Sequence, residues 1–204
     1  MNRFLLVVVI IAVFAMGYAF LNTNNLLPGA FSFRTSFDEL NQVWLKENID
    51  PAQLENSNIE TISLTQLNSI QSGINSFQAK LPPNSSPEVD AMKKLSQIHL
   101  DLIALLKEKK QLNSEINALP STVSLADEEI CEQIPALNSF QLPMLQIFEK
   151  SNNLNQKIKT FSIAYPSNVP NSYFDSINPN IEMIKSQADA LDFSIEQLEA
   201  SCNE

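Results

Sequence analysis

Few side chains in this sequence could carry reaction chemistry. The 204 residues include one histidine, His99, and two cysteines. His99 lies one heptad after Met92, and a histidine and a methionine can serve as axial haem ligands within a helical bundle. Such ligands usually come from facing helices, however, and the sequence holds no Cys-x-x-Cys-His motif for covalent haem attachment. We therefore expect His99 to lie partly exposed at the edge of an apolar helix face, and we predict no cofactor and no metal.

Carboxylates cluster at the start of one predicted helix. Residues 127–132 hold four of them around Glu128, and Glu199 and Glu204 would join them if the two cysteines pair. Carboxylate oxygens bind hard cations such as Ca²⁺. The spacing does not match an EF-hand loop, and acidic residues in a first turn also stabilise the helix dipole. We favour the dipole interpretation and keep an ion site around Glu128 as the open alternative.

Composition excludes several classes of protein. The chain has three glycines, against roughly fourteen at average usage, whereas Rossmann folds, P-loops and small β-barrels need glycine where φ is positive. Residues 22–204 carry 12 Lys and Arg against 23 Asp and Glu, a net charge of −11 that disfavours nucleic-acid partners. The sequence also lacks a nucleophile elbow, a zincin motif and a usable Cys/His pair. We therefore predict a non-enzymatic protein that binds no nucleic acid.

The N-terminal residues predict a membrane anchor. The segment from Phe4 to Leu21 holds no charged or strongly polar side chain, and as a helix it would span roughly 27 Å, close to the hydrocarbon thickness. Arg3 before this segment and the acidic residues after it place the N-terminus in the cytoplasm and the rest outside. Cleavage as a signal peptide after Ala19 is the alternative, and the protein would then be secreted.

The cysteines test the predicted topology. The midpoint between Cys131 and Cys202 falls in a loop marked independently by Pro166 and Pro170. In an antiparallel hairpin, paired positions are equidistant from the turn, so the two thiols should meet at one end of the bundle. Outside the cytoplasm we expect them to form a disulfide. Two buried free thiols are the alternative.

Apolar residues at three- and four-residue steps predict helices through most of the chain. Ser36 has capping-box spacing with Glu39, and proline follows a capping residue at Asp50 and at Ser86. The predicted helices cover 36–47, 51–80, 87–118, 124–165 and 172–202. Pro135 and Pro143 should kink the fourth helix, or a new helix should begin at Pro143, and Pro179 should start or bend the last helix.

These elements predict an all-α fold. A membrane-spanning helix over 1–21 precedes a linker over 22–35 and an antiparallel four-helix bundle over 36–204, built from two long helical hairpins. Lys109 interrupts an otherwise apolar heptad seam. We expect its ammonium group to reach solvent or to pair with Glu55 or Glu60.

Two positions mark local features of the predicted bundle. Gly73 is the only glycine after the linker and lies beside the seam, between Ile70 and Ile74. It is therefore a candidate point of close helix approach. Asn84 begins the only N-glycosylation sequon, at a predicted hairpin tip, although the proline directly after the sequon disfavours its use.

The sequence predicts only the general class of function. We expect a membrane-anchored helical bundle outside the cytoplasm with a structural or protein-interaction role, through a protein partner or self-association. The alternative is an accessory receptor or sensor module that binds a small ligand in the bundle core.

Overall fold

The computed structural model describes residues 31–54, 61–83, 86–119 and 131–202. These residues form helices and turns and contain no strand, which confirms the all-α prediction for this part of the chain. The elements in chain order are α1 (Phe33–Leu45), a 3₁₀ turn (Pro51–Gln53), α2 (Leu64–Lys80), α3 (Pro87–Asn117), α4 (Ile134–Ala164), α5 (Asn171–Ile177) and α6 (Ile181–Cys202).

Two of the predicted helix starts are wrong. Helix α1 begins at Phe33, with the Ser32 hydroxyl accepting from the Thr35 N–H, so Ser36 lies inside it and the linker ends before residue 35. Pro51 begins only the short 3₁₀ turn. Helix α2 begins at Leu64 instead, because Ser63 and Gln66 cap each other reciprocally there.

Proline has different effects at its several positions. Ser86 and Pro87 begin α3 as predicted. Helix α4 continues through Pro143 as one element, so the predicted alternative of a new helix at this residue is wrong, and the kink stays a prediction. The segment after the Pro166 loop forms two helices: α5 follows Pro170 without a side-chain cap, and α6 begins two residues after Pro179.

Contacts between helices establish an antiparallel order. Helix α1 runs opposite to α2, because Val43 lies against Gly73 and Glu47 accepts a hydrogen bond from Ser69. Helix α3 also runs opposite to α2, because Gln78 donates to Ser96 and Lys107 donates to Gln71. Helix α4 runs opposite to α3, because the Lys157–Asp101 and Lys150–Glu108 ion pairs set that register. Helix α6 runs opposite to α4.

The two predicted hairpins are present, α2/α3 and α4/α6, and they join through the α3–α4 contact. Helix α1 adds to the first hairpin by packing on α2 and α3, and α5 packs on the 3₁₀ turn. One continuous core runs from Phe33 to Ala188. Its largest fully buried side chains include Trp44, Leu40, Leu67, Ile70, Ile74, Met92, Leu95 and Ile103.

Helix α6 contributes least to this core. Of its 22 residues only Ile184, Ala188 and Ile195 are buried, and Ile195 lies outside the continuous cluster. The α4/α6 hairpin is therefore stabilised in part by contacts between its own two helices.

The predicted membrane segment from Phe4 to Leu21 and the sequon at Asn84 lie outside the described residues. So do Glu55 and Glu60, while Lys109 is half-buried in α3. Within the described ranges, no helix has the length and apolarity needed to cross a membrane.

Candidate functional site

The single histidine is fully buried, and the expectation of a partly exposed His99 is wrong. Its Nδ1 accepts a hydrogen bond of 2.9 Å from the Trp44 Nε1–H, and its Nε2 lies 2.9 Å from the Tyr173 hydroxyl. The Tyr173 hydroxyl in turn donates to Asn41 Oδ1 at 2.9 Å. His99 therefore joins α1, α3 and α5 through one polar network inside the core.

The donors in this network determine the proton position on His99. An indole N–H can only donate, so Nδ1 must keep its lone pair. The imidazole proton then lies on Nε2 and points to the Tyr173 oxygen, which leaves the Tyr173 proton for Asn41. Burial of the ring lowers the pKa of His99 to about 3, and burial likewise raises the pKa of Tyr173. Both groups are neutral at physiological pH and lie inside the core.

Sequence periodicity did not identify this network. His99 lies four residues after the buried Leu95, which places it on the core face, but its partners lie on two other helices. The available sequence signal was a histidine in an apolar stripe, together with the only tryptophan and a tyrosine in other apolar stripes.

The cysteines meet as predicted. Cys131 and Cys202 form a disulfide with Cα atoms 5.8 Å apart. It closes one end of the α4/α6 hairpin, and we call residues 131–145 and 188–202 the disulfide-closed arm.

One face of this arm combines apolar and acidic side chains. Gln141 donates to Asp192 at 3.0 Å, and Asn138 donates to Glu199 at 3.4 Å. Residues four apart on a helix are neighbours on one face, so Leu142 lies beside Asn138 and Leu145 lies beside Gln141. Leu142 is 64% exposed and Leu145 is 50% exposed. We call this surface, with the α6 carboxylates beside the two leucines, the leucine–acid face.

A concave surface lies between α3 and α4. It is a groove of about 600 Å³. The lining residues are Lys94, Gln97, Ile98, Asn153, Gln156, Lys157, Thr160, Phe161, Ala164 and Tyr165.

Both lysines of the groove are paired with carboxylates. Lys94 Nζ lies 2.8 Å from Asp90, and Lys157 Nζ lies 2.6 Å from Asp101. Hydrogen bonds from Lys94 and from the Tyr165 hydroxyl lower the pKa of Asp90. The groove therefore offers amides, hydroxyls and an aromatic floor to a ligand, without an excess of either charge.

The predicted carboxylate cluster is only partly described. Residues 127–129 and Glu204 lie outside the described ranges, so the prediction of an ion site around Glu128 stays open. Among the residues that the structure does describe, no three His, Cys, Asp or Glu side chains group closely enough to hold a metal ion.

No protein-family model, curated protein or solved structure matches the chain. Its function therefore has to be inferred from the side chains themselves.

Proposed function

We propose that the chain is a non-enzymatic, membrane-anchored helical bundle that engages a protein partner outside the cytoplasm. The exposed leucines of the disulfide-closed arm carry this proposal. Leu142 and Leu145 are neighbours on one helix and lie largely in solvent, although 33 other apolar side chains of the described residues are buried. Adjacent large apolar side chains on a surface mark sites of protein association more often than isolated ones do.

The disulfide supports the proposed location. Such bonds persist in oxidising compartments and are rare in the cytosol. Residues 4–21 would hold the protein in the membrane with the N-terminus in the cytoplasm, or the protein would be secreted if residues 1–19 are removed.

The burial of His99 supports a role without catalysis. It is the only histidine of the chain, and both of its ring nitrogens are engaged inside the core. General acid–base catalysis by histidine requires a ring nitrogen within hydrogen-bonding reach of the substrate. His99 cannot provide this in the folded protein.

Site-specific photo-crosslinking in cells tests the interaction role. A photoreactive residue at position 142 of the full-length protein should give one concentrated adduct, identified by mass spectrometry. The matched control is position 163 near the other end of α4, where Ile163 is 82% exposed. Adducts to lipid alone, or the same adducts from both positions, would contradict docking through the arm.

Binding of a small ligand is the second candidate function, and the α3–α4 groove favours it. Its volume of about 600 Å³ lies within the range of small-molecule sites. The mixed lining of amides, hydroxyls and Phe161 suits an uncharged polar ligand. A thermal-shift screen with such compounds should give a stabilising hit that Asn153→Leu abolishes. A hit unchanged by that substitution would contradict a site in this groove.

A further inference from the structure

Carboxylates on α6 follow a helical stripe along the leucine–acid face. They are spaced three, four and three residues apart, at Asp189, Asp192, Glu196 and Glu199, and such spacing places side chains on one helix face. The contacts of Asp192 with Gln141 and of Glu199 with Asn138 direct this stripe towards the edge of α4 that carries the leucines. The acidic stripe and the leucines thus form one surface.

Two carboxylates of this stripe, Asp189 and Glu196, form no ion pair within the described residues. The ion pairs there join Asp90, Asp101 and Glu108 to lysines. Helix α6 holds five acidic residues and a single basic one, Lys185. A partner that covers the leucines must therefore also meet a row of carboxylates.

This charge identifies the kind of partner. A second copy of the chain would place like charges opposite each other, and anionic lipid headgroups would be repelled for the same reason. A helix whose apolar side chains are flanked by lysines or arginines at three- and four-residue steps matches both features of the surface, its leucines and its carboxylates. We propose that the leucine–acid face binds a basic amphipathic helical segment of a partner protein. This inference rests on the interaction role proposed above.

Peptide binding to the full-length protein in nanodiscs of uncharged lipid tests the proposal. The probe is a synthetic helical peptide with a leucine stripe flanked by lysines, and its twin has glutamine in place of every lysine. The lysine peptide should bind the native protein, and the glutamine twin should bind roughly tenfold more weakly. Fluorescence anisotropy measures both dissociation constants.

Two triple variants separate local charge from net charge. The first neutralises the stripe with Asp189→Asn, Asp192→Asn and Glu196→Gln. The second removes the same charge from exposed positions elsewhere, with Asp38→Asn, Glu39→Gln and Asp175→Asn. The stripe variant should weaken binding of the lysine peptide roughly tenfold. The control variant should change it by no more than about twofold. Equal losses in the two variants would overturn the proposal, because net charge alone would then explain the attraction.

Leucine variants separate this inference from the proposed function. Leu142→Ser with Leu145→Ser should weaken binding, whereas Ile163→Ser should not. If both peptides bind equally well through the leucines, or if those leucines hold two copies of the chain together in sedimentation, docking through the arm stands and the basic partner is overturned. If the leucine variants bind as the native protein does and position 142 gives no protein crosslink, both proposals fail. Circular dichroism spectra of each variant serve as the control for correct folding.

Discussion

Protonation of His99 is coupled to folding. The unfolded chain takes up a proton on this residue near its ordinary pKa of 6.5, whereas burial lowers the pKa in the folded protein to about 3. Protonation would also turn Nδ1 into a donor that faces the Trp44 N–H. Between these two pKa values the unfolded state binds one more proton, so acid favours unfolding.

We therefore expect the contribution of His99 to stability to be constant above pH 6.5 and to fall as the pH drops towards 3. The slope should approach about 1.4 kcal/mol per pH unit in this window. His99→Gln should remove this component, because an amide can accept from Trp44 and donate to Tyr173 but does not titrate. Urea unfolding of both proteins from pH 7 to pH 4 measures the difference. Parallel pH profiles would show that His99 is not the group responsible.

The sequence could place His99 on a helix but could not show its partners. Its spacing from Leu95 and Met92 puts it near the apolar stripe of α3, where either a buried or a boundary position fits the pattern. Burial depends on whether other elements supply a donor for Nδ1 and an acceptor for Nε2–H. Those came from Trp44 and Tyr173, which are 55 and 74 positions away in the chain.

At the scale of elements, α1 and α2 approach closely at Gly73, as the sequence predicted. A Cβ at this position would lie 2.5 Å from Val43 Cγ1, and valine in a helix has few other rotamers. We expect Gly73→Ala to destabilise the protein, because overpacking costs about 1–3 kcal/mol and outweighs a helix-propensity gain of up to about 1 kcal/mol.

Val43→Ala provides the control for this contact. In that background Gly73→Ala should become neutral or stabilising, since the obstructing methyl groups are gone. A double-mutant cycle from chemical unfolding measures the coupling between the two positions. Additive effects would contradict a direct contact between α1 and α2 at Gly73.

The disulfide compensates for the small buried surface of α6. Because only three of its residues are buried, we expect Cys131→Ser with Cys202→Ser to release this helix first. The loss of stability should be on the order of 4 kcal/mol or less for a closed loop of this length. Hydrogen exchange should accelerate over 188–202 well before α3 is affected. Unchanged protection of α6, or two alkylation adducts on the native unreduced protein, would contradict this role.

Sequence patterns identified helices more reliably than their starts. The α4/α6 pairing followed from proline positions and cysteine spacing, both of which are local or symmetric features. The start of α1 could not be identified from the sequence, because Ser32 and Ser36 both precede helical sequence and only Ser32 caps the helix in the structure. The acidic stripe was readable from spacing alone, but its position beside Leu142 and Leu145 required the register between α4 and α6.

At the scale of the whole molecule, helix directions place the arm away from the chain's entry into the bundle. Helices α1 and α3 are parallel, so Phe33 lies at the same end as Pro87, where Tyr165 contacts Asp90. Helix α4 extends from this end for 31 residues, about 46 Å. An anchor over residues 4–21 would therefore hold this end near the membrane and present the disulfide-closed arm to the surrounding space.

Fluorescence quenching in vesicles tests this orientation. Single cysteines introduced by Ser167→Cys and Ser139→Cys lie on exposed positions near opposite ends of α4, and the native cysteines are paired and do not react. Nitroxide groups on lipid headgroups should quench a dye at position 167 more strongly than one at position 139, because about 38 Å of helix separates residue 139 from the end of α4. Equal or reversed quenching would mean that the bundle lies along the membrane or points the other way, and the leucine–acid face would then be screened from a partner in solution.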